Sequence, residues 1–117
     1  MKKINKLLVV IILLAACKPG DNDIKTLLQS KTIDDRIEGA YKAGESGKTD
    51  FIPYLLKNAD DPNRSTQLQF KGYSVYQEKM IALTKILKIE SPVKITRDPD
   101  STVIRFFTEA ASKYIKK

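Results

Sequence analysis

The N-terminal segment differs from the rest of the chain and restricts where the folded domain can begin. It begins with Lys2, Lys3 and Lys6, and the uncharged run from Leu7 to Cys17 is eleven residues long. A basic start, a short apolar stretch and small residues before a cut are the parts of a secretory signal peptide. A membrane-spanning helix needs about 20 residues, so this run predicts a removable signal and not a lasting anchor. Removal of residues 1–16 from the 117-residue chain leaves 101 residues, enough for one domain.

The last four residues of this segment, Leu14-Ala15-Ala16-Cys17, resemble the lipobox of bacterial lipoproteins. The resemblance implies a diacylglycerol thioether on Cys17, recognition of Leu14, Ala15 and Ala16 by the signal peptidase, and cleavage before the cysteine. It also implies acylation of the new amino group in many species. Several acyl chains hold a protein firmly to a bilayer, so membrane lipid is the first expected partner. The alternatives are an ordinary signal peptide with a chance cysteine, or a buried helix with a free thiol.

Composition excludes several kinds of chemistry. The chain has no histidine and no tryptophan, and Cys17 is its one cysteine. These absences exclude histidine-based triads, Cys–His nucleophiles and zinc sites built from histidine and cysteine. We therefore predict that the protein is not an enzyme and needs no cofactor, no metal and no small-molecule substrate. Loss of three lysines with the signal leaves 18 basic and 14 acidic side chains, a formal charge of 18 − 14 = +4, which does not favour nucleic acid as a partner.

Two motifs that resemble chemical sites are explained by helix ends. The segment from Gly44 to Thr49 ends like a phosphate-binding loop, but Lys42 stands where that loop needs glycine, and an amphipathic helix precedes it instead of a strand. The carboxylate pairs Asp34-Asp35 and Asp60-Asp61 lie beside predicted helix starts or turns, where acids favour the helix dipole. Neither pattern predicts catalysis or metal binding.

Turn signals divide the mature chain into a lipidated tether, residues 17–23, and an all-α domain, residues 24–117. Within the domain, apolar residues recur at three- and four-residue spacing, which is typical of amphipathic helices. The predicted helices are Asp23–Gln29, a second that follows Thr32, a third from Thr49 or Asp50 to Ala59, a fourth from Ser74 to about Lys88, and a fifth from Ser101 to Ile115.

Two capping-box patterns mark helix starts, because a hydroxyl residue is followed three positions later by an acid or amide. They are Thr32 with Asp35, and Ser74 with Gln77. In the fourth helix the periodicity predicts a buried stripe of Tyr76, Met80, Leu83 and Leu87, widened by Ala82 and Ile86. The residues predicted to face away from the core are Gln77, Glu78, Thr84, Lys85 and Lys88.

Two connecting segments do not fit a helical pattern. Residues 64–73 are polar, with apolar side chains at near-alternate positions, and residues 91–99 hold Val93 to Thr96 between two prolines. Long connections between helices are unusual in a small domain. Either segment is compatible with a short extended piece, and the pair is compatible with a minor β-hairpin.

The stretch from Asp34 to Pro62 resembles a HEAT-type helical repeat. The resemblance rests on Arg36 and Ala40 in the first helix, a glycine-containing turn, Ile52-Pro53-Tyr54-Leu55-Leu56 in the second helix and an Asp-Pro stop. It implies a small right-handed helical-hairpin stack that serves as a protein-binding scaffold. The sequence departs from the pattern through its ten- and twelve-residue links and through having two units, where solenoids need three or more. The alternative is a compact four- or five-helix bundle.

Aromatic and basic residues predict where a partner protein binds. Residues 64–73, which we call the inserted loop, contain Arg64, Phe70, Lys71 and Tyr73. Such residue types are over-represented among interface anchors. The alternative is that Phe70 and Tyr73 fold inward and cover the core. The second candidate surface is Tyr54 with Lys57 on the outer face of the third helix.

These patterns together predict a membrane-anchored envelope lipoprotein with a non-catalytic helical domain that binds an unidentified envelope protein. The predicted place is the periplasmic face of the outer membrane in a diderm cell, because Lys18 follows the cysteine, and the outer face of the cell membrane in a monoderm cell. The alternative function is an inhibitor or immunity-type lipoprotein that occludes an enzyme or toxin at the cell surface. A purely structural envelope component is a further possibility.

Overall fold

The computed structural model describes residues 20–115, which fold into a small all-α bundle and confirm the predicted fold class. The predicted lipidation residue Cys17 and the recognition residues Leu14, Ala15 and Ala16 lie outside the described residues. Within the described part, no helix is long and apolar enough to cross a membrane. The helices are α1 (Asp21–Leu28), α2 (Ile33–Ser46), α3 (Ile52–Leu56), α4 (Val75–Leu87) and α5 (Ser101–Ala110), and short 3-10 turns span Thr49–Phe51, Leu68–Phe70 and Ser112–Tyr114.

Helix α1 begins two residues before its predicted start. Gly20 occupies the N-cap position, and its N–H donates to the Asp23 carboxylate over 3.4 Å. Asp21 and Asp23 lie in the first turn, where negative charge is stabilised by the helix dipole. Residues 21–23 therefore belong to the folded domain, and three residues of the sequence, 18–20, separate Cys17 from the helix.

Helix α2 is the longest described helix and packs mainly on α1 and α4. Two glycines permit the close approach. A Cβ at Gly39 would lie 2.8 Å from the backbone nitrogen of Leu28, and a Cβ at Gly44 would lie 2.9 Å from the Cα of Ala82. The helix therefore needs glycine where it crosses each neighbour. The resemblance to a HEAT-type repeat stays a prediction.

The capping box predicted at the start of α2 is wrong. Thr32 does occupy the N-cap position, but its hydroxyl makes no capping hydrogen bond. The Asp35 carboxylate instead accepts a hydrogen bond from the Ser30 hydroxyl over 2.9 Å. The Ser30 hydroxyl is thus the hydrogen-bond partner of the Asp35 carboxylate on which the capping-box pattern depended.

Helix α4 lies at the centre of the bundle, in contact with α2, α3 and α5. One half of its predicted capping box forms, because the Ser74 hydroxyl accepts a hydrogen bond from the Gln77 N–H over 3.0 Å. The other half does not, because the side-chain oxygen of Gln77 has no hydrogen-bond partner among the described residues. The prediction that Gln77 and Glu78 face away from the core is wrong, because both are buried. Three helices pack on α4, so they also bury positions that lie outside its apolar stripe.

Helix α5 is shorter than predicted, since it ends at Ala110 and a 3-10 turn follows it. Its buried residues Val103 and Phe107 join the main core. The residues of that core include Ile24, Leu28, Ala40, Phe51, Ile52, Leu55, Tyr76, Met80, Leu83, Val103, Phe107 and Ala111. The core thus draws on all five helices.

The minor β-hairpin expected between the two connecting segments is wrong, because no strand forms within residues 20–115. An isolated antiparallel bridge joins Arg64 to Ser74 and closes the inserted loop on itself. The two segments meet through a side chain instead, since the Arg97 guanidinium donates to the Lys71 carbonyl over 3.4 Å.

Contacts at the two ends of α2 fix the neighbouring segments. At its N-terminal end, the Asp34 carboxylate accepts hydrogen bonds from Ser65 over 3.1 Å and from Thr66 over 3.0 Å, which holds the inserted loop. Just beyond its C-terminal end, Lys48 forms an ion pair of 2.8 Å with Asp21 at the start of α1. The start of the domain and the inserted loop therefore lie at opposite ends of this helix.

Candidate functional site

An open groove of about 560 Å³ lies where α2, α4 and the inserted loop meet. Its volume falls within the range of pockets that bind small ligands or single side chains. Helices α2 and α4 each present one face to it, because their lining residues recur at helical spacing. The lining residues are Glu38, Tyr41 and Lys42 from α2, Gln69, Phe70, Lys71 and Tyr73 from the inserted loop, and Glu78, Ile81 and Lys85 from α4.

Three of the predicted interaction residues, Phe70, Lys71 and Tyr73, meet in this groove. Phe70 does not project as an exposed anchor, because it is only 7% exposed and packs with Ile37 and Val75. Its ring meets the ring of Tyr41 edge to face, with 6.1 Å between centroids. The inward orientation that the sequence left open is therefore the one adopted by Phe70, which supports the side of the groove.

Arg64 lies at the base of the inserted loop and does not line the groove. Its Nε donates to the Gly72 carbonyl over 3.1 Å. Gly72 has a φ of +73°, and a Cβ there would lie 3.3 Å from the Arg64 guanidinium. Arg64 thus holds the turn that presents Lys71 and Tyr73.

The second predicted surface, Tyr54 with Lys57, belongs to a different cleft of about 220 Å³. Lys79 lines this cleft and is 3% exposed, and its Nζ donates to the Lys57 carbonyl at the end of α3 over 2.7 Å. Burial lowers the pKa of Lys79 to about 8, and the nearby charge of Asp61 opposes that change. Lys79 therefore closes the end of α3, and the two predicted surfaces remain separate.

Two of the lysines that line the groove are already paired with carboxylates. Lys42 binds Glu38 over 2.7 Å within α2, and Lys85 binds Glu45 over 2.7 Å between α4 and α2. Lys85 also lies over the ring of Tyr41, 5.3 Å from its centroid. Their charges are therefore largely balanced by protein partners.

Glu78 is the buried acid of the groove. It is 4% exposed, and among residues 20–115 its carboxylate has neither an ion-pair nor a hydrogen-bond partner. Burial raises the pKa of Glu78 to about 6, while the charge of Lys85 lowers it and that of Glu45 raises it further. The carboxylate is therefore held in a place where its charge is poorly compensated.

Replacement of Glu78 with glutamine is expected to stabilise the folded chain at about pH 7.5 by about 1 kcal/mol, with allowance for solvent in the groove. Because the folded pKa lies above its ordinary value, the stability that neutral Glu78 gives is complete in acid and lost as the pH rises through about 6. The gain should therefore vanish near pH 4.

Urea unfolding followed by circular dichroism at the two pH values measures this difference. The control is Glu38→Gln, because Glu38 is half-buried and paired with Lys42. A gain for Glu78→Gln that is equal at both pH values would show that the charge of Glu78 is not the cause.

Tyr41, Glu78 and Lys85 were not predicted as members of this site. Glu78 was expected in solvent, because the apolar stripe of α4 passes through other positions. Tyr41 follows the apolar spacing of Ile37 and Ala40 in α2, yet it is 43% exposed and opens onto the groove. The sequence does show acidic and aromatic residues at helical spacing in α2 and α4. That spacing does not show which faces of the two helices meet.

Within residues 20–115, no group of three or more histidine, cysteine, aspartate or glutamate residues is placed to hold a metal ion. The groove instead combines aromatic rings, paired lysines and one buried acid, which suits recognition of a polar side chain more than coordination of a metal. Comparisons with protein-family models, with curated proteins and with solved structures found no match to this chain.

Proposed function

We propose that this chain is a membrane-anchored bacterial envelope lipoprotein whose helical domain binds another protein without catalysing a reaction. The anchor is supported by the lipobox-like Leu14-Ala15-Ala16-Cys17 after a basic and apolar start. In a diderm cell the proposed place is the periplasmic face of the outer membrane, and in a monoderm cell it is the outer face of the cell membrane. Membrane lipid and an envelope protein are the two proposed partners.

The observation that carries the binding role is the groove between α2, α4 and the inserted loop. It places Tyr41, Phe70 and Tyr73 beside Lys71, and aromatic side chains in a preformed cleft contribute binding energy at little conformational cost. The hydrogen bonds that the Asp34 carboxylate accepts from Ser65 and Thr66 keep this surface in one shape before a partner arrives. A HEAT-like origin of the first helices would suit the same scaffold role.

The experiment is recovery of the full chain, with a C-terminal affinity tag, from the envelope of its own bacterium after mild cross-linking. We expect the recovered chain to begin at Cys17 and to carry the mass of a diacylglyceryl group. We also expect one protein to be cross-linked, with a yield that falls about tenfold in the variant Lys71→Ala/Tyr73→Ala, because each truncation removes an interface contact.

Two variants serve as controls for the two halves of the proposal. Cys17→Ser should lose the acyl mass and leave the membrane fraction. Tyr54→Ala/Lys57→Ala removes the same residue types from the other cleft and should leave the cross-linked yield unchanged. An unmodified thiol at Cys17, or Met1 still attached, would refute the anchor. Equal yields from natural chain and groove variant would refute the binding surface.

A further inference from the structure

Glu78 is the one acid of the groove lining without an ion-pair partner among the described residues. Lys42 and Lys85 are each paired with a glutamate at 2.7 Å, whereas the Glu78 carboxylate has no partner among the described residues. A buried carboxylate gains most from a cation that also donates hydrogen bonds. No cation among the described residues contacts the Glu78 carboxylate, so a cation that enters the groove can pair with it.

The aromatic side chains that line the groove with Glu78 indicate which kind of cation would fit there. Tyr41 and Phe70 meet at 6.1 Å, and Tyr73 lines the same groove. A guanidinium group stacks on aromatic rings and binds a carboxylate with two parallel hydrogen bonds, which an ammonium group cannot do. The surroundings therefore suit arginine better than lysine.

We propose that the groove receives an arginine side chain of the partner protein, with its guanidinium on the Glu78 carboxylate and its stem against Tyr41 and Phe70. This inference rests on the proposed function, because it requires that the domain binds a protein. Lys71 lines the same groove and has no carboxylate partner among residues 20–115, so an acidic residue near the arginine fits it.

The test is a titration of the full chain, in non-ionic detergent micelles, with the capped tripeptide acetyl-Ala-Arg-Ala-amide. The control peptide holds citrulline, which keeps the shape of arginine but is neutral. We expect the arginine peptide to bind about tenfold or more tightly than the citrulline peptide, because a charged hydrogen-bonded pair is lost in the latter. In NMR spectra the shifted amides should be those of α2, α4 and the inserted loop that line the groove.

Two matched variants locate the interaction. Glu78→Gln keeps the shape of the side chain and should reduce binding of the arginine peptide to the level of the citrulline peptide. Glu109→Gln removes an exposed acid of α5 outside the groove and should change the affinity less than about twofold. Unchanged circular dichroism of both variants shows that the fold persists.

The pH provides a second readout. Binding of the arginine peptide should strengthen as the pH rises through about 6, because Glu78 then loses its proton. This dependence should be absent in Glu78→Gln. The other titratable and charged groups that face the groove are Glu38, Tyr41, Lys42, Glu45, Lys71, Tyr73 and Lys85.

Three results would overturn the inference: equal binding of both peptides, full binding by Glu78→Gln, or no binding of the arginine peptide. None of them depends on anchoring or on the cross-linked envelope partner. A partner that requires Lys71 and Tyr73, together with a groove that ignores arginine, would leave the proposed function standing and remove only this inference. Peptide binding at Glu78 without any envelope partner would show that the groove binds arginine, but it would refute the proposed function and the assignment of that arginine to a partner protein.

Discussion

Replacement of Phe107 with alanine is expected to lower the free energy of unfolding by about 3–5 kcal/mol. Phe107 is fully buried in the main core, so the change removes its contacts and leaves a cavity that the fixed helices cannot fill. A domain of this size has a total stability of about 5–15 kcal/mol, so the loss is a large part of it. Urea unfolding of the full chain, followed by circular dichroism, measures the change.

Phe106→Ala is the matched control, because it removes the same ring from the next residue of α5. Phe106 is half-buried and meets Phe107 edge to face at 5.1 Å between centroids. We expect it to cost less than half as much, because part of its ring already lies in solvent and its removal leaves no enclosed cavity. Equal losses for the two variants would mean that α5 is not seated as described.

Replacement of Gly44 with valine is expected to destabilise the fold by about 3 kcal/mol. Even the first added carbon would lie 2.9 Å from the Cα and 3.1 Å from the Cβ of Ala82, so α2 and α4 must separate. The contact is with backbone and cannot be relieved by rotation of a side chain. The same unfolding experiment measures the loss.

A second substitution tests whether the contact with α4 is the cause. Ala82→Gly removes the Cβ at 3.1 Å but leaves the Cα, so Gly44→Val/Ala82→Gly should recover part of the stability lost by Gly44→Val. A Gly44→Val chain as stable as the natural one would show that the two helices can move apart at no cost.

The existence of the helices could be predicted because local signals agree with one another. Ser74 with Gln77 marks the start of α4, and the apolar residues Val103 and Phe107, four positions apart in α5, both lie in the core. These signals depend on residues within one or two turns, so a single sequence contains them.

The groove could be predicted only in part. Phe70, Lys71 and Tyr73 were chosen from their residue types, but Glu78 was placed in solvent. Whether one face of a helix or most of its circumference is buried depends on how many neighbours pack on it. That number is a tertiary property, and α4 meets α2, α3 and α5. The sequence of α4 alone therefore could not reveal its buried acid.

The arrangement of α2 also determines how the domain would stand on a bilayer. This helix has 14 residues and is about 20 Å long, with Asp21 tied near one end and the inserted loop tied at the other. With Cys17 acylated and three residues before α1, the Lys48 end would rest at the headgroups. If α2 stood upright on the bilayer, the loop would lie about 20 Å above the headgroups. A partner would then have to extend that far above the lipid surface to meet it.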